Sequence, residues 1–315
     1  MNYSAIIDGS EASLKNFLRT LPGVDQVGAE SRAAMLATRS IKNATKSYAI
    51  DLAISMVDLT TLEGADTPGK VRALCSKAMR PDPTDPTVPH VGAICVYNDM
   101  VSVARQHLDL IGGHDIPVAA VTTAFPSGRA SMPVKIQDTQ DAITAGATEI
   151  DMVIDRGAFL SGQYGQVFEE IKIIKEVCGE KAHLKVILET GELVTYDNVR
   201  KASYLAMLAG ADFIKTSTGK VSPAATPPVV LVMLEAVRDF YSMTNVKIGV
   251  KAAGGIRTTK DAIKQLVLVN ETAGPDWLNP GLFRIGASAL LNDLLMQRMK
   301  MRDGRYASPN YVTID

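Results

Sequence analysis

Cysteine is scarce in this chain of 315 residues, which has only three. Cys75, Cys95 and Cys178 lie far apart and form no C-x-x-C pair, which excludes a disulfide framework or a cysteine-built zinc site and points to a reducing compartment. No charge of either sign is in excess. Lys plus Arg number 33 against 34 Asp plus Glu, for a formal net charge of −1, so there is no global electrostatic reason to expect a nucleic acid or an anionic membrane as partner. No apolar run approaches the roughly 20 residues of a membrane span, and the opening stretch MNYSAIIDGSEASLKNF has no basic segment followed by an apolar one. The expectation is a soluble, cytoplasmic protein. Histidine is also sparse: His90, His107, His114 and His183 form no H-x-x-x-H or similar ligand spacing, and no metal is expected.

Short β-branched runs separated by amphipathic stretches are abundant. The candidate strands are AISMVDL, VGAICVY, IPVAAVTTAF, EIDMVI, LKVILET, DFIKTST, VKIGVKAAG and LFRIGAS. Strict strand–helix alternation implies parallel pairing, and eight such units suggest a (β/α)8 TIM barrel. A doubly wound open sheet is the competitor, but EGADTPGK after the first strand lacks its G-x-G-x-x-G turn. Before the barrel, Leu14, Phe17, Leu18 and Leu21 mark one helix, and Ala33, Ala34, Leu36 and Ile41 a second. The expected organisation is an N-terminal helical extension (1–48), a (β/α)8 barrel (49–300) and a C-terminal tail (301–315). PDPTDPTVPH, Pro81 to His90, reads as a rigid surface connection.

Charge in the middle of apolar strands is the most informative feature. Side chains alternate faces with period two, and in a barrel the outer face must be apolar to pack against helices. The charged parity therefore points inward, placing Glu149, Asp151 and Glu189 in the lumen against Lys185, Lys215 and Lys251. Opposite charges that satisfy one another are the condition for burying them. A lone strand lysine is ordinarily a snorkelling residue, but lysines centred in two successive strands suggest imine chemistry. An amine attacks a carbonyl only when neutral, and burial beside a second ammonium favours that state. Lys215 and Lys251 supply the pair, with Asp151 as proton carrier. Gly-rich turns after the last three strands, TSTGK, AAGGIR and GAS, suggest a phosphate cradle of Lys220, Gly254, Gly255 and Ser288.

The segments VDLTTL, AICVY, EIDMVI, LKVILETGEL, KASYLAMLAGADFIKTSTGK, VKAAGGIR and FRIGAS together resemble the deoxyribose-phosphate aldolase family, class I aldolases of the barrel type. The resemblance runs from Val57 to Leu291 and is most specific at FIKTSTGK. It implies reversible cleavage of 2-deoxy-D-ribose 5-phosphate to D-glyceraldehyde 3-phosphate and acetaldehyde, without metal or other cofactor, by a homo-oligomer (dimer or tetramer). By motif it makes Lys215 the Schiff-base residue, Lys251 its neighbour, Asp151 a proton-transfer residue, and Lys220, Gly254, Gly255 and Ser288 the phosphate contacts. The chain departs from the family in having Ala252 where K-P-A-G-G is usual, and Ala289 where some members carry a second hydroxyl. Some members bring a C-terminal tyrosine into the site; Tyr306 and Tyr311 are the residues to examine here.

Overall fold

Each short apolar run becomes a strand of only three to five residues: β1 (Val57–Thr60), β2 (Ala93–Tyr97), β3 (Val118–Thr122), β4 (Glu149–Val153), β5 (His183–Ile187), β6 (Phe213–Lys215), β7 (Gly249–Ala253) and β8 (Phe283–Ala287). The computed structural model describes residues 8–306 together with 308 and 312. All eight strands pair in parallel in sequence order, and β8 closes on β1. The (β/α)8 barrel expected from the alternation is therefore present.

The outer ring comprises α4 (Pro68–Met79), α5 (Val101–Leu110), α6 (Met132–Thr144), the short α7 (Arg156–Leu160), α8 (Tyr164–Cys178), α9 (Tyr196–Leu208), α10 (Pro227–Thr244), α11 (Thr259–Thr272) and α12 (Leu290–Asp303). Their starts are written locally. Thr67 accepts from the Lys70 amide ahead of Pro68, and Thr258 and Asp261 form a reciprocal capping box. The outward parity of the strands, including Ile150, Met152, Val186, Ile214 and Val250, joins the helices in one apolar core. A smaller cluster of Leu62, Cys95, Ala119 and Val121 stands apart from it.

Among the described residues three helices, not two, precede β1: α1 (Glu11–Thr20), α2 (Gln26–Ala37) and α3 (Asn43–Ser55). The segment AISMVDL is thus only half strand. Ala49, Ile50, Ala53 and Ile54 are all buried, a pair recurring every four residues, which is a helical stripe ending where β1 begins. Helix α3 spans residue 48 and leads directly into the first strand. Helix α1 packs on α8 and α9, α2 on α10 and α11, and α3 on α11 and α12. The proline-rich connection 81–90 is tied down: Arg298 of α12 donates to Asp85, to Thr87 Oγ1 (2.8 Å) and to Asp51 of α3 (2.7 Å). No described helix is long and apolar enough to cross a membrane. Cys75, Cys95 and Cys178 are all buried free thiols.

Candidate active site

Registry brings the charged positions together. Lys215 ends β6 opposite Lys251 in the middle of β7, and Asp151 lies opposite Lys185 across the β4–β5 pair. Lys215 Nζ and Lys251 Nζ each donate to the same oxygen, Asp151 Oδ2, at 2.8 Å. Lys251 Nζ also lies 2.6 Å from Asp58 Oδ2, an ion contact out of line for a hydrogen bond. All four side chains are buried. Burial opposes the charge on Asp151, but the Lys185, Lys215 and Lys251 ammoniums hold its carboxyl well below the usual range. Burial likewise disfavours the charge on Lys251, yet Asp151 and Asp58 hold its ammonium well above the ordinary lysine value. Gly286 makes room for this lysine, since a Cβ there would stand 3.2 Å from Lys251 Cε.

The lumen differs from the sequence expectation at Glu189. That residue follows β5 in a left-handed conformation (φ +54°), so strand parity no longer governs its side chain. Its carboxylate turns to the loop after β6, accepting from the Thr218 hydroxyl at 2.5 Å and the Thr218 amide at 3.2 Å. Asp58 takes its place among the lysines. Arg284 of β8 joins as a further cation, donating to Asp58 Oδ1 at 2.6 Å and Glu149 Oε1 at 3.0 Å. Neither residue was singled out from the sequence, although both lie mid-strand in VDLT and FRIGA and the parity argument applies to them equally. Cys95 of β2 is a third omission: its thiol lies 3.9 Å from Asp151 Oδ2, and burial raises its proton affinity.

Above the lysines a cavity of about 480 Å³ opens at the strand C-terminal ends. Lys215, Lys251, Lys220, Gly254, Gly255 and Ser288 all line it. Gly254 and Gly255 have φ of +87° and +86°, and a Cβ on Gly254 would meet Ala224 Cβ at 2.7 Å, so a side chain at this turn is strained. Lys220 Nζ is paired with Glu63 at 3.0 Å on the rim. Ser288 is exposed just before α12. Arg257 and Lys70 also line the cavity and were not expected. Ala252 continues β7, its side chain in the outer core. Ala289 caps α12 without a side-chain hydrogen bond.

A larger cavity, about 1270 Å³, lies between α4 and α12. Tyr306 lines that cavity and not the barrel mouth, with Lys300 Nζ 3.6 Å from its ring centroid. Tyr311 lies outside the described residues. The buried lysine pair Lys215 and Lys251 lines the mouth, which makes the smaller cavity the candidate site. Among the described residues no three His, Cys, Asp or Glu side chains are arranged to hold a metal ion.

Residues 52–295 match the model of the DeoC/LacD family aldolases. The human deoxyribose-phosphate aldolase is 46% identical over 280 residues, covering 86% of this chain and 87% of the human one. The mouse protein of the same name is 45% identical over the same length. Among solved structures, a deoxyribose phosphate aldolase from Aeropyrum pernix, described as tetrameric, superposes with a TM-score of 0.62 at 25% identity. That superposition covers 82% of this chain and 99% of the archaeal one.

Proposed function

The chain belongs to the DeoC/LacD family of aldolases, and from that premise we propose that it reversibly cleaves 2-deoxy-D-ribose 5-phosphate to D-glyceraldehyde 3-phosphate and acetaldehyde through an imine on Lys215. The observation that carries this reading is the single carboxylate oxygen, Asp151 Oδ2, shared by two buried lysines at 2.8 Å.

The chemistry follows from who holds whom. Lys251 touches two carboxylates and keeps its proton, whereas Lys215 has Asp151 alone. Neutral Lys215 attacks C1 of the open-chain sugar, and water leaves to give the imine. The C3 hydroxyl then loses its proton and the C2–C3 bond breaks, its electron pair flowing into the imine to leave an enamine. Glyceraldehyde 3-phosphate departs; protonation of the enamine at C2 and hydrolysis release acetaldehyde and the amine. Asp151, in reach of both amines, serves as proton carrier with Lys251. The rim supports a phosphate end: positive-φ glycines that expose backbone, the Ser288 hydroxyl, Lys220 and the start of α12. This phosphorylated sugar is the partner proposed, for a cytoplasmic dimer or tetramer whose mass light scattering measures.

Borohydride trapping with acetaldehyde tests the reaction. The expected result is one reduced adduct, mapped by mass spectrometry to Lys215, and acetaldehyde release from the phosphorylated deoxysugar. An adduct on another lysine would falsify the assignment.

A further inference from the structure

The proposed chemistry uses Lys215, Lys251 and Asp151 and leaves the remaining buried charges of the lumen without a task. Their contacts form a closed path. Arg284 donates to Asp58 Oδ1 (2.6 Å), and Asp58 Oδ2 lies 2.6 Å from Lys251 Nζ. Lys251 donates to Asp151 Oδ2 (2.8 Å), while Asp151 Oδ1 accepts from Lys185 Nζ (3.3 Å). Lys185 also donates to Glu149, whose other oxygen accepts from Arg284 (3.0 Å). The ring alternates anion and cation and sums to zero charge. Lys215 hangs on it from one side, through an Asp151 oxygen already claimed by Lys251.

We infer that Arg284 is a positioning residue for Lys215: by closing this ring it commits the lumen carboxylates to other cations and makes Lys215 the surplus positive charge, the lumen amine with no carboxylate oxygen of its own. The inference rests on the reading of Lys215 as the imine-forming residue.

The other groups near Lys215 do not supply the missing anion. Cys95 of β2 is a buried thiol whose proton affinity is raised. Glu189, at the end of β5, spends both oxygens on the hydroxyl and amide of Thr218. Remove the Arg284 charge and the ring carries one net negative charge, which a proton on Lys215 would neutralise. A fork is required as well as a charge. The guanidinium reaches β1 and β4 carboxylates together and donates a third bond to the Pro280 carbonyl, a geometry that an ammonium on a flexible stem does not reproduce. Its charge is permanent, because Asp58 and Glu149 overcome burial and hold its proton more tightly than usual.

The test is the rate of borohydride-trapped acetaldehyde adduct formation against pH, on the full chain. Arg284→Met should move the midpoint alkaline by about one pH unit or more. Glu149→Gln, which removes an anion, should move it to lower pH, and the double variant should return it towards wild type. Arg284→Lys, which keeps the charge but not the fork, should move the midpoint alkaline by less than Arg284→Met does. A merely structural Arg284 would slow the reaction at every pH and leave the midpoint in place, and that result overturns the inference. Should Arg284→Met fail to fold, Glu149→Gln decides, an unmoved or alkaline midpoint counting against it. The two readings fail separately. A wild-type adduct absent or mapped elsewhere sinks the assignment of Lys215, whereas unmoved midpoints with the adduct on Lys215 sink only the role of Arg284.

Discussion

Two lysines that donate to the same aspartate oxygen do not have the same chemistry. Lys251 faces Asp58 and Asp151 together and stays charged; Lys215 shares one oxygen and opens onto the cavity. Lys215→Arg should therefore abolish turnover and the trapped adduct, since Arg keeps the charge but offers no neutral amine. Lys251→Leu frees Asp151 to hold a proton on Lys215, so the adduct should form slowly at neutral pH and faster at alkaline pH. Asp151→Asn should let the adduct accumulate while kcat falls by about 100-fold or more, the usual share of a positioned acid or base. Intact-mass kinetics beside an acetaldehyde assay separate the cases. An Asp151→Asn protein that turns over normally would remove that carboxylate from the proton path.

Elements place these residues, and their legibility differs. The period of two in β4, β6 and β7 exposed Asp151, Lys215 and Lys251, because a charge inside an apolar strand has few places to go. Glu189 escaped the same logic because its positive φ ends the alternation. Asp58 and Arg284 obey the same parity, but their pairing depends on barrel closure: they meet from 226 residues apart along the chain, across the β1–β8 seam. Helix α3 was missed because an apolar run before a strand reads as strand until burial reveals its four-residue repeat. The glycine turn after β7 is an element-scale test. Gly254→Ala puts a side chain 2.7 Å from Ala224 Cβ at a φ of +87°, so the turn must shift. Ser288→Asp adds an anion at the rim. Both should raise KM for the phosphorylated sugar several-fold or more while hurting non-phosphorylated deoxyribose far less. Equal damage to both substrates would place the phosphate elsewhere.

At the scale of the whole molecule, the charged ring is also a stability device with a defined pH window. Asp58 and Asp151 are held below the ordinary carboxylate range despite burial, so the folded chain binds these protons less readily than the unfolded one. Their contribution is complete above the unfolded carboxylate value of about 4 and is lost as pH falls further, towards the depressed folded values. Lys251 runs the other way. Its proton is held more tightly in the fold, so its contribution is complete below the unfolded lysine value of about 10.4 and is lost only as pH rises through the higher folded value. Lys251→Met removes the cation that Asp58 Oδ2 and Asp151 Oδ2 share and leaves buried carboxylates underpaired, at a cost of about 3–5 kcal/mol. The acid unfolding midpoint should then move to higher pH. Adding Asp58→Asn, which takes away one of the orphaned anions, should recover part of the loss. Circular dichroism against pH at fixed temperature measures both. If Lys251→Met unfolded in acid at the wild-type pH, the carboxylates would owe their low proton affinity to something other than the lysine between them.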